Sequence, residues 1–404
     1  ECIMAVMRVA IVAEAFLPNI NGVTNSVLRV LEHLRREGHE ALVIAPGARG
    51  HEEEVAEYEG YPIVRVPTIM FPGVNSLPVG VPTTAVARAL AKFRPDVVHL
   101  ASPFVLGAAG AIAARQLRIP AIAIYQTDVA GFATKYHFTL LATAVWEWTR
   151  YIHNMCQRTL APSSMSIAEL EAHGIHNIYH WGRGVDTVRF HPSKRSDALR
   201  LTWDPEGTKV IVGFVGRLAA EKGVRRLRVL DARPDVQVVI VGSGPDHDSL
   251  VDACPNAVFT GALSGEDLAE AYASFDVFVH TGEFETFCQT IQEALASGVP
   301  VIGPRAGGPI DLITEGVDGY LLDVDTFEQK LSSTLDTIID PRHNTRMRQA
   351  ARDGVRPKTW ENLCTQLVKH YTAVIEQSRR VPLTFFGPIP ELPRWAAKAL
   401  GARV

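Results

Sequence analysis

The stretch DVFVHTGEFETFCQTIQEALASGVPVIGP, residues 276–304, decides the fold and reads as strand, loop, helix, turn and strand. Residues 276–280 are a short β-branched and aromatic run, and Val299 to Ile302 is another. Between them Phe287, Ile291 and Leu295 recur every four residues, the spacing of a helix's buried stripe. Gly298 follows the last turn, where a glycine takes a left-handed C-terminal conformation at little cost.

Glu285, Gln289, Glu293 and Ser297 form a second row, well round the helix from the apolar one. The spacing predicts Glu285 at the helix start and Glu293 about 12 Å further along it. That length matches the span from a sugar ring across a pyrophosphate to a nucleoside ribose. Backbone N–H groups of Thr286, Phe287 and Cys288 at a helix start would face a phosphate. A carboxylate at each end would accept paired sugar hydroxyls. An amphipathic helix whose polar row meets water has the same spacing, so the rest of the chain must decide.

At 404 residues the chain is long enough for two domains with separate cores. A hydrophobic content of 47% and a charged content of 21% suit a soluble α/β protein. The net charge of −4 gives no support for nucleic-acid binding. The five cysteines, at 2, 156, 254, 288 and 364, show no paired spacing and fit a reducing compartment. No apolar run reaches the roughly 18–20 residues of a membrane span. Met7-Arg8 leads straight into VAIVAE, without a signal peptide, which predicts a cytoplasmic protein or one held at the inner face of the plasma membrane.

Residues 7–13 are a continuous apolar strand, as expected when helices cover both sheet faces. A loop through Asn19 to Gly22 enters a helix with Val27, Leu28, Leu31 and Leu34 inward. Strands follow at 41–44, 97–101, 121–125, 158–163 and 177–181, with helical patterns between them. The loop WGRGVDTVRFHP, 181–192, breaks this rhythm. A second series then begins, with strands at 209–216, 236–242, 257–261, 276–280 and 299–303. The pattern is two doubly wound parallel-sheet α/β domains, joined near 185–205. A last helix covers about Thr359 to Gln377.

Ligands of such sheets bind beyond the carboxyl ends of the strands. In the loop at Asn19–Gly22, Gly22 lets a backbone N–H approach a phosphate without a Cβ clash. An ordinary Asn-Gly turn reads the same way. GRLAAEKG, 216–223, places Arg217 and Lys222 past a buried strand, and a departing pyrophosphate needs about two compensating charges. Surface ion pairing is the alternative there. VGSGP, 241–245, is not a dinucleotide fingerprint, because His247 stands where the third glycine belongs. The triplets Asp246-His247-Asp248 and Asp323-Val324-Asp325 do not accompany the glutamate pair, and no metal site is assigned.

The chain resembles glycosyltransferase family 4, retaining enzymes of the GT-B fold. The motifs, in family order over about residues 7–375, are NGV (21–23), GRGVDTVRF (182–190), GRLAAEKG (216–223), VGSGP (241–245), ETFCQTIQEALASGVPVI (285–302) and AGGPIDLI (306–313). YQTDVAGF (125–132) and LASPFVLG (100–107) are similar to bacterial GDP-mannose-dependent α-mannosyltransferases that mannosylate membrane glycolipids such as glucuronosyl-diacylglycerol.

The resemblance implies two Rossmann-like domains facing across a cleft. Residues 7–190, completed by 376–404, would bind the acceptor, and 191–375 the nucleotide sugar. It implies that Glu285 holds the transferred sugar, Glu293 the ribose, and Arg217 and Lys222 the departing diphosphate. Gly22, Gly216, Gly242, Thr286, Phe287 and Cys288 would assist, and Leu263 would flank the base. GDP-mannose would be the donor and GDP the product, with no obligatory metal.

There are departures from the family pattern. Gln126 stands where many relatives carry histidine, so it touches the sugar without titrating, and Asp128 would orient the acceptor. Gly265, with Glu266 beside it, stands where some relatives read guanine with aspartate. The aromatic and basic segment 135–153 (Trp146, Trp148, Tyr151, Lys135, Arg150) and the basic tail beyond 378 read as either membrane-facing or packed. Rival readings are a phosphatidylinositol mannosyltransferase, a hexosyltransferase using a UDP-sugar, a non-hydrolysing nucleotide-sugar epimerase, and a nucleotide-sugar-binding protein without turnover.

Overall fold

The protein is described from a computed structural model, which covers residues 6–48, 53–70, 78–80, 84–126, 139–381 and 393. The chain divides into two compact units, residues 1–181 with 364–404, and residues 182–363.

The first unit is built on an eight-stranded sheet. Its order is Ile178–His180, Arg158–Ala161, Ala121–Ile124, Val97–Ala101, Arg8–Ala13, Glu40–Pro46, Tyr61–Val66 and Glu57–Tyr58, parallel except for the last pair. Val9 to Ala13 are at most 1% exposed, because helices cover both faces of the sheet. Each such Val or Ile side chain contributes roughly 1.5–3 kcal/mol by burial. The helix Gly22–Arg36 starts where Asn21 accepts a hydrogen bond from the Thr24 N–H, and it buries Val27, Val30, Leu31 and Leu34 at helical spacing.

The second unit carries a six-stranded parallel sheet. Its order is Val258–Gly261, Val236–Val241, Val210–Val215, Val277–Val279, Val301–Pro304 and Gly319–Leu322. Every residue of Val236–Val241 is buried. The short strand Val277–Val279 lies between Val210–Val215 and Val301–Pro304, as the opening stretch requires.

The division falls at 181/182 and 363/364, earlier in both places than the expected 190/191 and 375/376. The reason is hydrogen bonding. The Gln289 and Gln292 side-chain amides donate to the carbonyls of Gly184 (3.1 Å) and Arg183 (2.7 Å), and the Val185 N–H donates to Lys358 O at 2.9 Å. Arg352 donates to the Thr187 and Phe190 carbonyls. The loop 182–190 is therefore tied to the second unit. The helix Trp360–Arg380 belongs to the first unit from Cys364 onward. There the His99 Nδ1 and the Tyr371 hydroxyl lie 2.6 Å apart, and Arg158 reaches the His370 ring at 2.8 Å.

The aromatic segment on the helix Thr139–Asn154 takes the packed one of its two readings. Trp146 is buried and stacks on His173 with ring centroids 3.8 Å apart, Trp148 donates to the Phe104 carbonyl at 2.7 Å, and Tyr151 is buried. These side chains fill the first unit's core and are not a membrane face. Lys135 and the tail after 381, except residue 393, lie outside the described residues. Among the described residues no helix is long and apolar enough to cross a membrane.

Burial pushes the His99 pKa down to about 3, so the ring is neutral and the Tyr371 hydroxyl is its hydrogen-bond partner. Replacing Tyr371 with Phe strands a buried polar nitrogen. We expect a loss of about 1–3 kcal/mol in urea unfolding, with no loss expected if the contact is idle.

Candidate functional site

In the second sheet Val210–Val215 has Val236–Val241 on one side and Val277–Val279 on the other, so the winding reverses there. A crevice opens beyond the carboxyl ends of strands at such a point. The two loops that leave it, 216–223 and 280–288, carry most of the candidate donor residues. They are locked together by side-chain donors on backbone carbonyls. The Thr281 hydroxyl donates to Lys222 O at 2.6 Å, and Arg226 donates to Thr281 O at 2.7 Å while pairing with Glu283. A third loop clamps the second: the Gly308 N–H donates to Glu285 O at 2.7 Å, and a Cβ at 308 would stand 2.2 Å from the Phe287 carbonyl oxygen. Only glycine allows that approach.

The crevice brings Lys222 and Glu285 into a direct ion pair, with side chains 25% and 18% exposed. Arg217 is more exposed and pairs with Glu221. Beneath the pair lies His280, a residue the sequence reading passed over. It is 3% exposed, its Nε2 is 3.7 Å from Glu285 Oε1, and burial pushes its pKa down to about 4. The signal for it was a polar residue ending the apolar run FVH, which also fits a histidine satisfied within a core.

The helix of the opening stretch begins later than expected. It runs Gln289–Ala296, with Cys288 as its N-cap at φ 81. A left-handed residue cannot continue a helix, so Glu285, Thr286 and Phe287 belong to the preceding loop. Glu285 and Glu293 are therefore not one helical row, and the expected 12 Å spacing along a helix does not apply. Phe287 and Cys288 are buried and pack into the unit's core. The rest of the polar row turns inward too: Gln289 bonds the Gly184 carbonyl and Ser297 is fully buried. Gly298 closes the helix at φ 68, as expected.

Glu293 is part-buried on that helix, and burial holds its carboxyl up at about 7. The Tyr272 hydroxyl, the Arg183 guanidinium and the Gln289 amide oppose that rise. Arg183, a second functional candidate missed in the sequence, is itself held down to about 10 by burial. A half-desolvated carboxylate beside a guanidinium is suited to accept hydroxyl donors.

Gly216 and Gly242 sit where two strand-end loops touch. A Cβ at Gly242, whose φ is 146°, would lie 1.9 Å from the Gly216 carbonyl oxygen. Their glycines serve loop contact first. Leu263 follows Val258–Gly261 and packs half-buried on the core. In the first unit Gly22 is exposed at the first position of its helix, and Gln126 lies half-buried just beyond Ala121–Ile124. Asp128 is outside the described residues. Of the two acidic triplets, Asp248 pairs with His247, and Asp323 pairs with Arg305 and Lys330. Among the described residues no three His, Cys, Asp or Glu side chains gather to hold a metal ion.

The Glu293 shift has a stability consequence. A carboxyl whose folded pKa is raised from 4.5 to about 7 favours folding while protonated, and that contribution is lost as pH rises through about 7. Glu293→Gln should therefore stabilise the protein relative to wild type at pH 8 by about 2–3 kcal/mol more than at pH 4.5. Urea unfolding at both values checks this, and an equal difference at the two would contradict it.

Comparison with known proteins fits this geometry. The model for Glycosyltransferase Family 4 matches residues 20–189, and the model for Glycosyl transferases group 1 matches residues 197–354. The GDP-mannose-dependent alpha-mannosyltransferase of Corynebacterium glutamicum is 65% identical over 98% of this chain and 97% of that protein. The alpha-monoglucosyldiacylglycerol synthase of Acholeplasma laidlawii is 27% identical over 73% of this chain and 80% of that protein. Sucrose-phosphate synthase from Thermosynechococcus elongatus superposes with a TM-score of 0.74 at 18% identity, over 92% of this chain and all of that one. The two parallel-sheet units have the GT-B fold. Both halves match in order and one relative is 65% identical along nearly its whole length, so the chain belongs to glycosyltransferase family 4.

Proposed function

We propose that this protein is a retaining α-mannosyltransferase that moves mannose from GDP-mannose to a membrane glycolipid acceptor such as glucuronosyl-diacylglycerol. The observation that carries the donor is the near-full-length similarity to a GDP-mannose-dependent enzyme. The lipid acceptor draws support from the more distant relative, an alpha-monoglucosyldiacylglycerol synthase, and from the YQTDVAGF and LASPFVLG motifs.

The side chains at the second unit's switch point suit the chemistry. Lys222 and Arg217 neutralise the diphosphate as the bond from the sugar's anomeric carbon to the phosphate oxygen breaks. Glu285 accepts hydroxyls of the mannosyl group, and Glu293, with Arg183 beside it, accepts the ribose hydroxyls. Thr286, Phe287 and Cys288 offer backbone N–H groups toward the phosphates, with Gly216 and Gly242 shaping the crevice floor and Leu263 flanking the base; Gly22, in the first unit, offers a backbone N–H at its own helix start. Gln126 contacts the sugar and Asp128 orients the acceptor. The acceptor hydroxyl attacks from the leaving-group face, a bond forms to its oxygen, and its proton passes to the departing phosphate of GDP. The two cations supply the compensation a metal would otherwise give, so no divalent ion is required.

Purified protein given GDP-mannose or UDP-glucose, a bacterial lipid extract and EDTA should carry label into the organic phase from GDP-mannose alone. Transfer from UDP-glucose would overturn the donor, and label confined to water would overturn the lipid acceptor. Loss of transfer in EDTA, restored by magnesium, would overturn metal independence. Lys222→Ala should lower kcat by about 100-fold, or ~3 kcal/mol of lost charge stabilisation; near-normal turnover would reject the leaving-group role.

A further inference from the structure

His280 sits at the end of Val277–Val279, where its backbone N–H donates to Ile302 O at 2.8 Å, so the sheet fixes its place. Among the described residues its Nε2 makes no close hydrogen bond; it faces Glu285 Oε1 at 3.7 Å, with the Gly282 backbone as a weaker contact along the same ring edge. Its Nδ1 is 3.4 Å from the Cys288 sulfur, which in turn is 3.3 Å from the Thr290 hydroxyl. Cys288 holds φ 81, a conformation that strains any side chain and that glycine takes freely. Strain of this kind persists where surrounding contacts over-determine it.

Burial keeps the Cys288 thiol protonated well above its usual range. A protonated thiol that takes the Thr290 hydroxyl as donor has its own S–H to give to His280 Nδ1. That leaves the ring proton on Nε2, on the side of Glu285. Lys222 is the carboxylate's present partner, but an ammonium is a mobile point charge with three donors, and a diphosphate competes for it.

We propose that His280 is a positioning residue for Glu285, its tautomer set by the Cys288 thiol, and that it holds the carboxylate in place when Lys222 turns to the donor's diphosphate. The inference rests on the donor reading above for Lys222 and Glu285. The Thr290–Cys288–His280 chain accounts for a cysteine at a left-handed position in this crevice: the sulfur does what glycine cannot.

The test uses the full-length protein with GDP-mannose. His280→Leu should lower kcat by ~10-fold to ~100-fold with KM for the donor changed by less than about threefold. His280→Gln, whose amide nitrogen reaches the Nε2 position, should recover most of that loss, and His280→Asn, whose amide reaches only the Nδ1 position, should not. Cys288→Gly should keep or raise the melting temperature while lowering kcat several-fold. Nitrogen-15 spectra of the His280 ring should show the proton on Nε2, with that resonance shifting when GDP is added. A wild-type kcat in His280→Leu, losses that track a falling melting temperature in every variant alike, or a proton on Nδ1 would overturn the proposal. Should the wild type use UDP-glucose instead, the donor reading fails on its own and the same series is read with that donor. Should it turn over neither, the ring spectrum with and without GDP decides.

Discussion

The Lys222–Glu285 pair exists because three loops of the second unit are tied together through their backbone carbonyls. Thr281 holds the Lys222 carbonyl, and Gly308 holds the Glu285 carbonyl. The oppositely charged side chains are left facing each other at the point where the sheet's winding reverses. A Cβ at 308 would enter the Phe287 carbonyl, so the clamp depends on a missing side chain. The charges are therefore arrayed before any ligand arrives, which is the condition for electrostatic stabilisation to cost little reorganisation.

The same unit carries charge in places where packing alone would not put it. Glu293 is enclosed enough for its carboxyl to be held near neutrality, Arg183 is half-buried beside it, and Cys288 is bent into a strained conformation. Each reduces stability in the ligand-free protein. Structures tolerate such features where function uses them, and the surrounding core supplies the compensation. Ile291, Leu295, Tyr272 and Phe278 pack tightly around these groups and hold them in place.

Periodicity made the alternation of strands and helices legible, and glycine chemistry at 298 placed the end of the helix that follows the site. The start of that helix was not legible. Phe287 continues the apolar spacing of Ile291 and Leu295, yet it is buried from a loop, so a period of four carried the reading one turn too far. Nothing in a single sequence marks Cys288 as left-handed. His280 was missed for a related reason, since a histidine closing an apolar strand looks the same whether it faces packing or a carboxylate. The unit boundaries slipped because side-chain hydrogen bonds, from Gln289, Gln292 and Arg352, fix the loop 182–190, and these are long-range. Trp146 and Trp148 illustrate the opposite ambiguity: an amphipathic aromatic helix reads alike whether its partner is lipid or protein.

The central claim is that the switch point of the second unit holds the donor, with its charges exchanging partners on binding. A crystal structure of the protein with GDP-mannose measures this most directly. The account predicts the Lys222 ammonium on the donor's diphosphate and parted from Glu285, with Glu285 on the mannosyl hydroxyls and Glu293 on the ribose. A donor bound elsewhere, or bound while the Lys222–Glu285 pair stays intact, would contradict it.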